Sequence, residues 1–384
     1  MAPQRGSATR DPVRLAIIGL TGVVVLILVI GFGVVRDAGF FGMADPVRSV
    51  VFPELDDELE RVDRVELRSG SRRVVLIRDG DGWVVQQKDG YPAEPERVRG
   101  MLSALTSMPA LQRQQAGADQ FSGLGVAGDN DESTRVSLKR GDGETLRTIF
   151  IGLERAAPGA EDLEAYYVRA ADSDTVWLAD ADLAFPADPM AWLNKEAFAV
   201  SRARIRELKT APDPGKAVHI RRATVEDATF SGVGLPEDIE LEGQWVLGEL
   251  VVPFNSMSFT DVRRAETPLE PGGEAQGFVT TFDGVKLWYS VEARDGGQWA
   301  RFAAESVGGA TEEEEDLGDA ESAGQSPVSA ETLNERLRRW EFRLPEFHAE
   351  RMRRSVADLP RKGVGDQGGV NEGVTVEGVE GDGG

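Results

Sequence analysis

Residues 277–303 read GFVTTFDGVKLWYSVEARDGGQWARFA, and the fold is decided here. Three runs rich in β-branched and aromatic residues, 277–282, 285–293 and 298–303, are separated by Asp283-Gly284 and Asp295-Gly296-Gly297. Asp-Gly pairs accept the positive φ that tight hairpin turns require, so the stretch predicts an antiparallel meander.

The same grammar recurs towards the N-terminus. Strands are expected over 62–67, 73–77 and 82–86, with Asp79-Gly80-Asp81-Gly82 as a hairpin turn. That turn has the opening letters of a calcium loop, but Trp83-Val84-Val85 stands where further oxygen ligands would have to follow. Tyr91-Pro92-Ala93-Glu94-Pro95 then leads into a helix, because Val98, Met101, Leu102, Leu105 and Met108 recur at helical spacing until Pro109. Residues 117–133 read as a polar loop, in which Asp129-Asn130-Asp131 is a solvated turn rather than a cation site. Strands resume at 135–138, 145–151, 165–170 and 175–179. The segment 188–198, with Met190, Trp192, Leu193 and Phe198, reads as a short helix or a bridge.

A second block echoes the first. Arg204-Ile205-Arg206-Glu207-Leu208 resembles Arg64-Val65-Glu66-Leu67, and His219-Ile220-Arg221 resembles Leu76-Ile77-Arg78. The offset of roughly 140 residues is the size of one domain, so an internal duplication is expected. Residues 308–324 form a linker containing Glu312-Glu313-Glu314-Glu315-Asp316, a block of like charge that repels itself and stays solvated. Ser326-Pro327 suits a helix start, with Leu333, Leu337 and Trp340 on one helical face. Phe342, Leu344 and Phe347 follow, and Met352, Val356 and Leu359 make another helical stripe. The basic residues between 336 and 362 form a face towards lipid or the acidic linker, or simply towards solvent. The expected class is α+β, with antiparallel sheets and helices packed on one face. The modules fall at 47–199 and at 200–307 plus 326–360, with an acidic linker at 308–325 and a disordered, glycine-rich tail at 363–384.

Ahead of these blocks, residues 15–35 read LAIIGLTGVVVLILVIGFGVV without a charge. At about 1.5 Å per residue this run spans a hydrocarbon core of about 30 Å. Arg5, Arg10 and Arg14 precede it against Asp11, while Arg36 and Asp37 cancel after it. The positive-inside rule places residues 1–14 in the cytoplasm and the bulk of the chain in the periplasm, with a single span in the cytoplasmic membrane. A cleaved signal peptide is the competing reading. Gly42-Met43-Ala44 offers a small-x-small site, but the apolar run is longer than a signal peptide needs.

Composition limits the chemistry. The 384 residues carry a formal net charge of −23, no cysteine and two histidines, and 41% are hydrophobic. Disulfides, thiolate metal sites and thiol nucleophiles are excluded. The acidic balance speaks against nucleic-acid binding, which needs a basic face. His219 and His348 lie in no hydrolase motif, and no phosphate-binding loop or zincin motif is present. Gly123 to Gly128 spells Gly-x-Gly-x-x-Gly, but neither a strand before it nor a helix after it is expected. The residues therefore nominate no catalytic, metal or cofactor site, and no enzyme activity is expected.

The order of short motifs resembles a bacterial family, the domain of unknown function 4340. The resemblance rests on Phe52-Pro53-Glu54-Leu55, Gly82-Trp83-Val84-Val85, and Tyr91-Pro92-Ala93 with Val98, Leu102 and Leu105. It continues through Phe150-Ile151-Gly152, Tyr166-Tyr167-Val168-Arg169, Val176-Trp177-Leu178, and Trp192-Leu193 before Phe198. Thr281-Phe282-Asp283-Gly284 and Trp340-Glu341-Phe342-Arg343-Leu344-Pro345 complete it, so that it runs from about 51 to 359. The family has no established activity. Its members are single-span envelope proteins often encoded beside ABC transporters of the gliding-motility auxiliary type. The resemblance thus implies an accessory role beside an ABC-type permease, with Trp83, Tyr91 and Trp340 as interaction candidates. Core filling is the plainer role for both tryptophans. Two alternatives stand beside it: a periplasmic module binding a glycan or lipid in a groove between the blocks, and a hydrolase using two carboxylates about 5–10 Å apart.

Overall fold

The computed structural model describes residues 49–128, 133–157, 160–213, 215–273, 276–308 and 329–362. The apolar run at 15–35, the turn at 129–131, the acid run at 312–316 and the tail at 363–384 lie outside these residues. Among the described residues no helix is long and apolar enough to cross a membrane.

The first half runs α1 (Leu55–Leu59), β1 (Arg64–Ser69), β2 (Arg72–Asp79), β3 (Gly82–Val85), β4 (Tyr91–Pro92), α2 (Pro95–Ser107), β5 (Ala110–Gln115), α3 (Ala118–Phe121), β6 (Thr134–Lys139), β7 (Thr145–Ala157), β8 (Ala160–Ala170) and β9 (Thr175–Ala179). The second half runs β10 (Glu196–Phe198), β11 (Ile205–Lys209), β12 (His219–Arg221), β13 (Ser231–Gly232), α4 (Trp245–Gly248), α5 (Val252–Asn255), β14 (Met257–Ser258), β15 (Asp261–Arg264), β16 (Gly277–Thr281), β17 (Val285–Arg294), β18 (Gly297–Ser306), α6 (Ala330–Leu337), β19 (Trp340–Leu344) and α7 (Glu346–Met352). The class is α+β with antiparallel pairing. The meander at 277–306 forms as its turns dictate: Asp295 and Gly296 take φ of +51° and +69°, the pair of positive angles a type I′ hairpin demands.

Two compact units are each assembled from three separate segments of the chain. Among the described residues, one comprises 49–60, 103–134 and 147–184; the other comprises 61–102, 135–146 and 185–362. In the first, the strand order is β7-β8-β9-β5. Phe121, Val126, Phe150 and Val176 pack there into one apolar cluster. In the second, one run of strands is ordered β4-β3-β2-β1-β6. A separate eight-stranded sheet is ordered β13-β12-β11-β16-β17-β18-β19-β15. Its buried face is built from Leu208, Ile220, Val279, Leu287, Tyr289, Phe302 and Phe342.

The strand orders repeat. β3-β2-β1-β6 matches β13-β12-β11-β16, and β7-β8-β9-β5 matches β17-β18-β19-β15, each strand with its counterpart ten strands on. Registers repeat as well. Leu67 lies opposite Val74 on β2 and Val136 on β6, as Leu208 lies opposite Ile220 on β12 and Val279 on β16. Glu66 bridges to Arg73 on β2, and Glu207 to His219 on β12, at the same diagonal step.

Several local expectations change: residues 118–121 form α3 inside the segment read as a loop, and α7 ends at Met352, so Val356 and Leu359 do not extend a helical stripe from it. Trp340 does not continue a helix with Leu333 and Leu337; α6 stops at Leu337 and Trp340 opens β19. Two periods compete there, since Trp340, Phe342 and Leu344 also alternate. The strand period wins because β18 and β15 both offer hydrogen-bonding edges to this segment. The segment 188–198 is a short 3-10 turn, Pro189–Trp192, started by the Asp188 side chain accepting from the Met190 amide, and then strand β10.

Candidate functional site

Of the three interaction candidates, two meet. Tyr91 on β4 packs edge to face on Trp340 with ring centroids 5.0 Å apart, and Phe259 and Phe342 complete the cluster at 5.6 and 6.1 Å from Tyr91. All four side chains are buried. Burial pushes the Tyr91 hydroxyl up to about 12. The turn before β4 is pinned beside this cluster. Lys88 pairs with Asp261 at 2.6 Å, and Asp89, at φ +54°, accepts from the Arg264 amide at 3.0 Å. Arg264 in turn lies 5.1 Å from the Trp340 ring. Trp83 stands on β3 instead, half-buried, with the Arg78 guanidinium 5.1 Å over its ring. Tyr91 and Trp340 therefore present little surface to a partner, while Trp83 keeps part of its ring open.

Buried charge marks three further places. Arg169 on β8 donates from Nε and Nη2 to the Val126 carbonyl at 3.1 and 2.9 Å, and from Nη1 to the Ala170 and Ser173 carbonyls. Its guanidinium lies 4.0 Å from the Phe121 ring and 4.8 Å from Phe150. Arg222 is treated alike, donating to the carbonyls of Arg202, Ala203, Ile205 and Asp227 beside Phe230 and Phe282. Burial pulls both guanidinium pKa values down. A planar donor fork suits such carbonyl clusters, and the aromatic faces favour the cation. Glu341, only 2% exposed, is held between Arg263 and Arg294, with Arg263 stacked 4.0 Å from Trp299. These groups hold backbone and strands in place.

The outer face of the eight-stranded sheet is different. Strand register aligns His219, Lys209, Phe278 and Trp288 in one row across β12, β11, β16 and β17. Phe278 and Trp288 stand 5.3 Å apart, and Lys286 Nζ lies 4.1 and 4.0 Å from their rings. Trp288 Nε1 donates to Glu305, and His219 pairs with Glu207. These side chains are half-exposed. The sequence reading passed over Phe278, Lys286 and Trp288. The signal was the alternation of 286 and 288 with buried Val285, Leu287 and Tyr289.

Among the described residues no group of three or more His, Asp and Glu is placed to hold a metal ion. Residues 83–273 match a family model described as "Domain of unknown function (DUF4340)", from the start of β3 to beyond β15. No curated protein and no solved structure matches the chain.

Proposed function

We propose, from a chain whose residues 83–273 carry domain of unknown function 4340, that this is a membrane-anchored periplasmic accessory protein of an ABC-type transport system. It is built from two copies of one α+β module and acts by binding rather than by catalysis. The observation that carries the reading is where the fold spends its buried ionisable groups. Arg169, Arg222 and Glu341 are each committed to backbone carbonyls or to opposite charge, which makes a rigid scaffold. The anchor reading rests on the uncharged run 15–35 behind Arg5, Arg10 and Arg14. The duplication is supported by the matching strand orders and by the equivalent pairs Glu66–Arg73 and Glu207–His219. Affinity purification of the tagged, cross-linked chain from its native membrane tests the association. Specific recovery of an ABC permease or ATPase is the expected result. Recovery of the chain alone, where a known transporter complex survives the same handling, would count against it.

A second reading has one observation in its favour. The row of Phe278, Trp288 and His219 beside Lys286 is aromatic and polar at once, the composition with which protein surfaces stack on sugar rings. Glycan binding that Trp288→Ala abolishes would favour this reading over the first.

A further inference from the structure

The helical stretch of α4, the 3-10 turn Glu249–Val251 and α5 lies beside α7, and both elements turn their apolar residues inward. Val246, Leu247, Leu250 and Val251 are buried, as are His348, Ala349 and Met352. Trp245 and Phe347 do the opposite, at 55% and 49% exposed. Glu249 and Arg351 join the two elements at 2.9 Å. Trp245 lies one turn before Glu249. Phe347 lies one turn before Arg351, whose Nη1 donates to the Phe347 carbonyl at 3.2 Å. Residues four apart share a helix face, so the two rings flank the ion pair along one strip.

The border of this strip is acidic. Glu242, Glu346 and Glu350 are exposed within four residues of one ring or the other. Arg351, the one Arg or Lys on α7, is spent on Glu249. Exposed Trp and Phe on two elements joined by one ion pair are the chemistry of an interface, and the charge around them selects the partner. An anionic lipid surface would be repelled by these carboxylates, and a second copy would bring the same carboxylates against them.

We propose that the Trp245–Phe347 strip docks a basic segment of a partner protein, one that carries Lys or Arg around an apolar side chain. This deepens the accessory reading and rests on it.

The test uses the full chain in its native membrane. A photo-reactive amino acid is placed at 245, at 347 and, as a control, at the exposed Leu153. A separate variant carries Glu242→Lys, Glu346→Lys and Glu350→Lys, all at exposed positions where the fold tolerates the change. Cross-links from 245 and 347, absent from 153, should map to one Lys- or Arg-rich segment of one partner. The triple variant should lower recovery of that partner by about tenfold or more, with the chain itself present at its usual level. Cross-links to lipid, to a second copy or to an acidic segment would overturn the proposal, as would undiminished recovery with the triple variant. If the unaltered chain recovers no partner, the accessory reading fails with it; if it recovers one that the triple variant keeps, only this docking surface fails.

Discussion

Tyr91 and Trp340 meet edge to face at 5.0 Å, although they lie near opposite ends of the described chain. The contact ties the short strand β4 to β19, a strand with a partner on each side. Trp340→Ala should cost about 3–5 kcal/mol, the scale for emptying a buried aromatic site. Tyr91→Ala should be less than additive with it, by about 0.5–1.5 kcal/mol. Denaturant unfolding of the two single variants and the double variant reads both numbers, and strict additivity would show that the rings do not support each other.

Arg169 supplies its cluster of carbonyls with donors that no neighbouring side chain replaces. Arg169→Met keeps most of the apolar stem and removes the fork. It should destabilise the chain by about 3–5 kcal/mol, because several buried acceptors lose their partners together. Arg169→Lys should recover only part, since an ammonium cannot reproduce the planar donor geometry. A Met variant as stable as the parent would remove the case for a structural arginine.

Gly277 opens β16 against the ring of Tyr289. A Cβ there would fall 2.3 Å from Tyr289 Cζ and 2.6 Å from the Lys209 carbonyl oxygen. The Tyr289 hydroxyl donates to that same carbonyl at 3.0 Å, and burial raises its pKa. Gly277→Ala should therefore cost about 1–3 kcal/mol, as overpacking does. Gly100, exposed within α2 with nothing near its missing Cβ, is the contrast. Gly100→Ala should stabilise by about 0.5–1 kcal/mol through helix propensity. Thermal melts of the pair should move in opposite directions.

His348 gives the fold a pH dependence. Burial holds its pKa below the ordinary value, a backbone hydrogen bond with Ser258 opposes this, and Arg351 adds to the lowering. The unfolded chain therefore binds the proton more readily than the folded one. The stability of the neutral ring is full above about pH 6.5 and is lost as pH falls through the folded value. Acidification from neutrality should lower the melting temperature, and His348→Leu should flatten that dependence. An identical slope in the variant would contradict the assignment.

Much of this architecture is legible in the residues. The Asp-Gly turns of 277–303 specify the meander outright, because few residues other than Gly, Asn and Asp accept their backbone angles. The echo of Arg64–Leu67 in Arg204–Leu208 anticipates the repeated register, since Glu and Leu alternate between faces in both. The helix at 95–107 follows from one apolar stripe. Other features depend on partners distant in sequence. Trp340 satisfies two periods at once, and only the edges of β15 and β18 decide between them. Phe278 and Trp288 become neighbours only when β16 and β17 pair in register. Trp245 and Phe347 look like core residues as letters, and their exposure follows from which sides of α4 and α7 are already buried.

The proposed function requires that residues 15–35 hold the rest of the chain beyond the cytoplasmic membrane. The most direct measurement is protease accessibility of the full chain, tagged at its N-terminus, in intact wall-stripped cells. Digestion of the body with a small, protected N-terminal fragment still in the membrane fraction is the predicted result. A chain that stays whole until the cells are lysed would contradict the account.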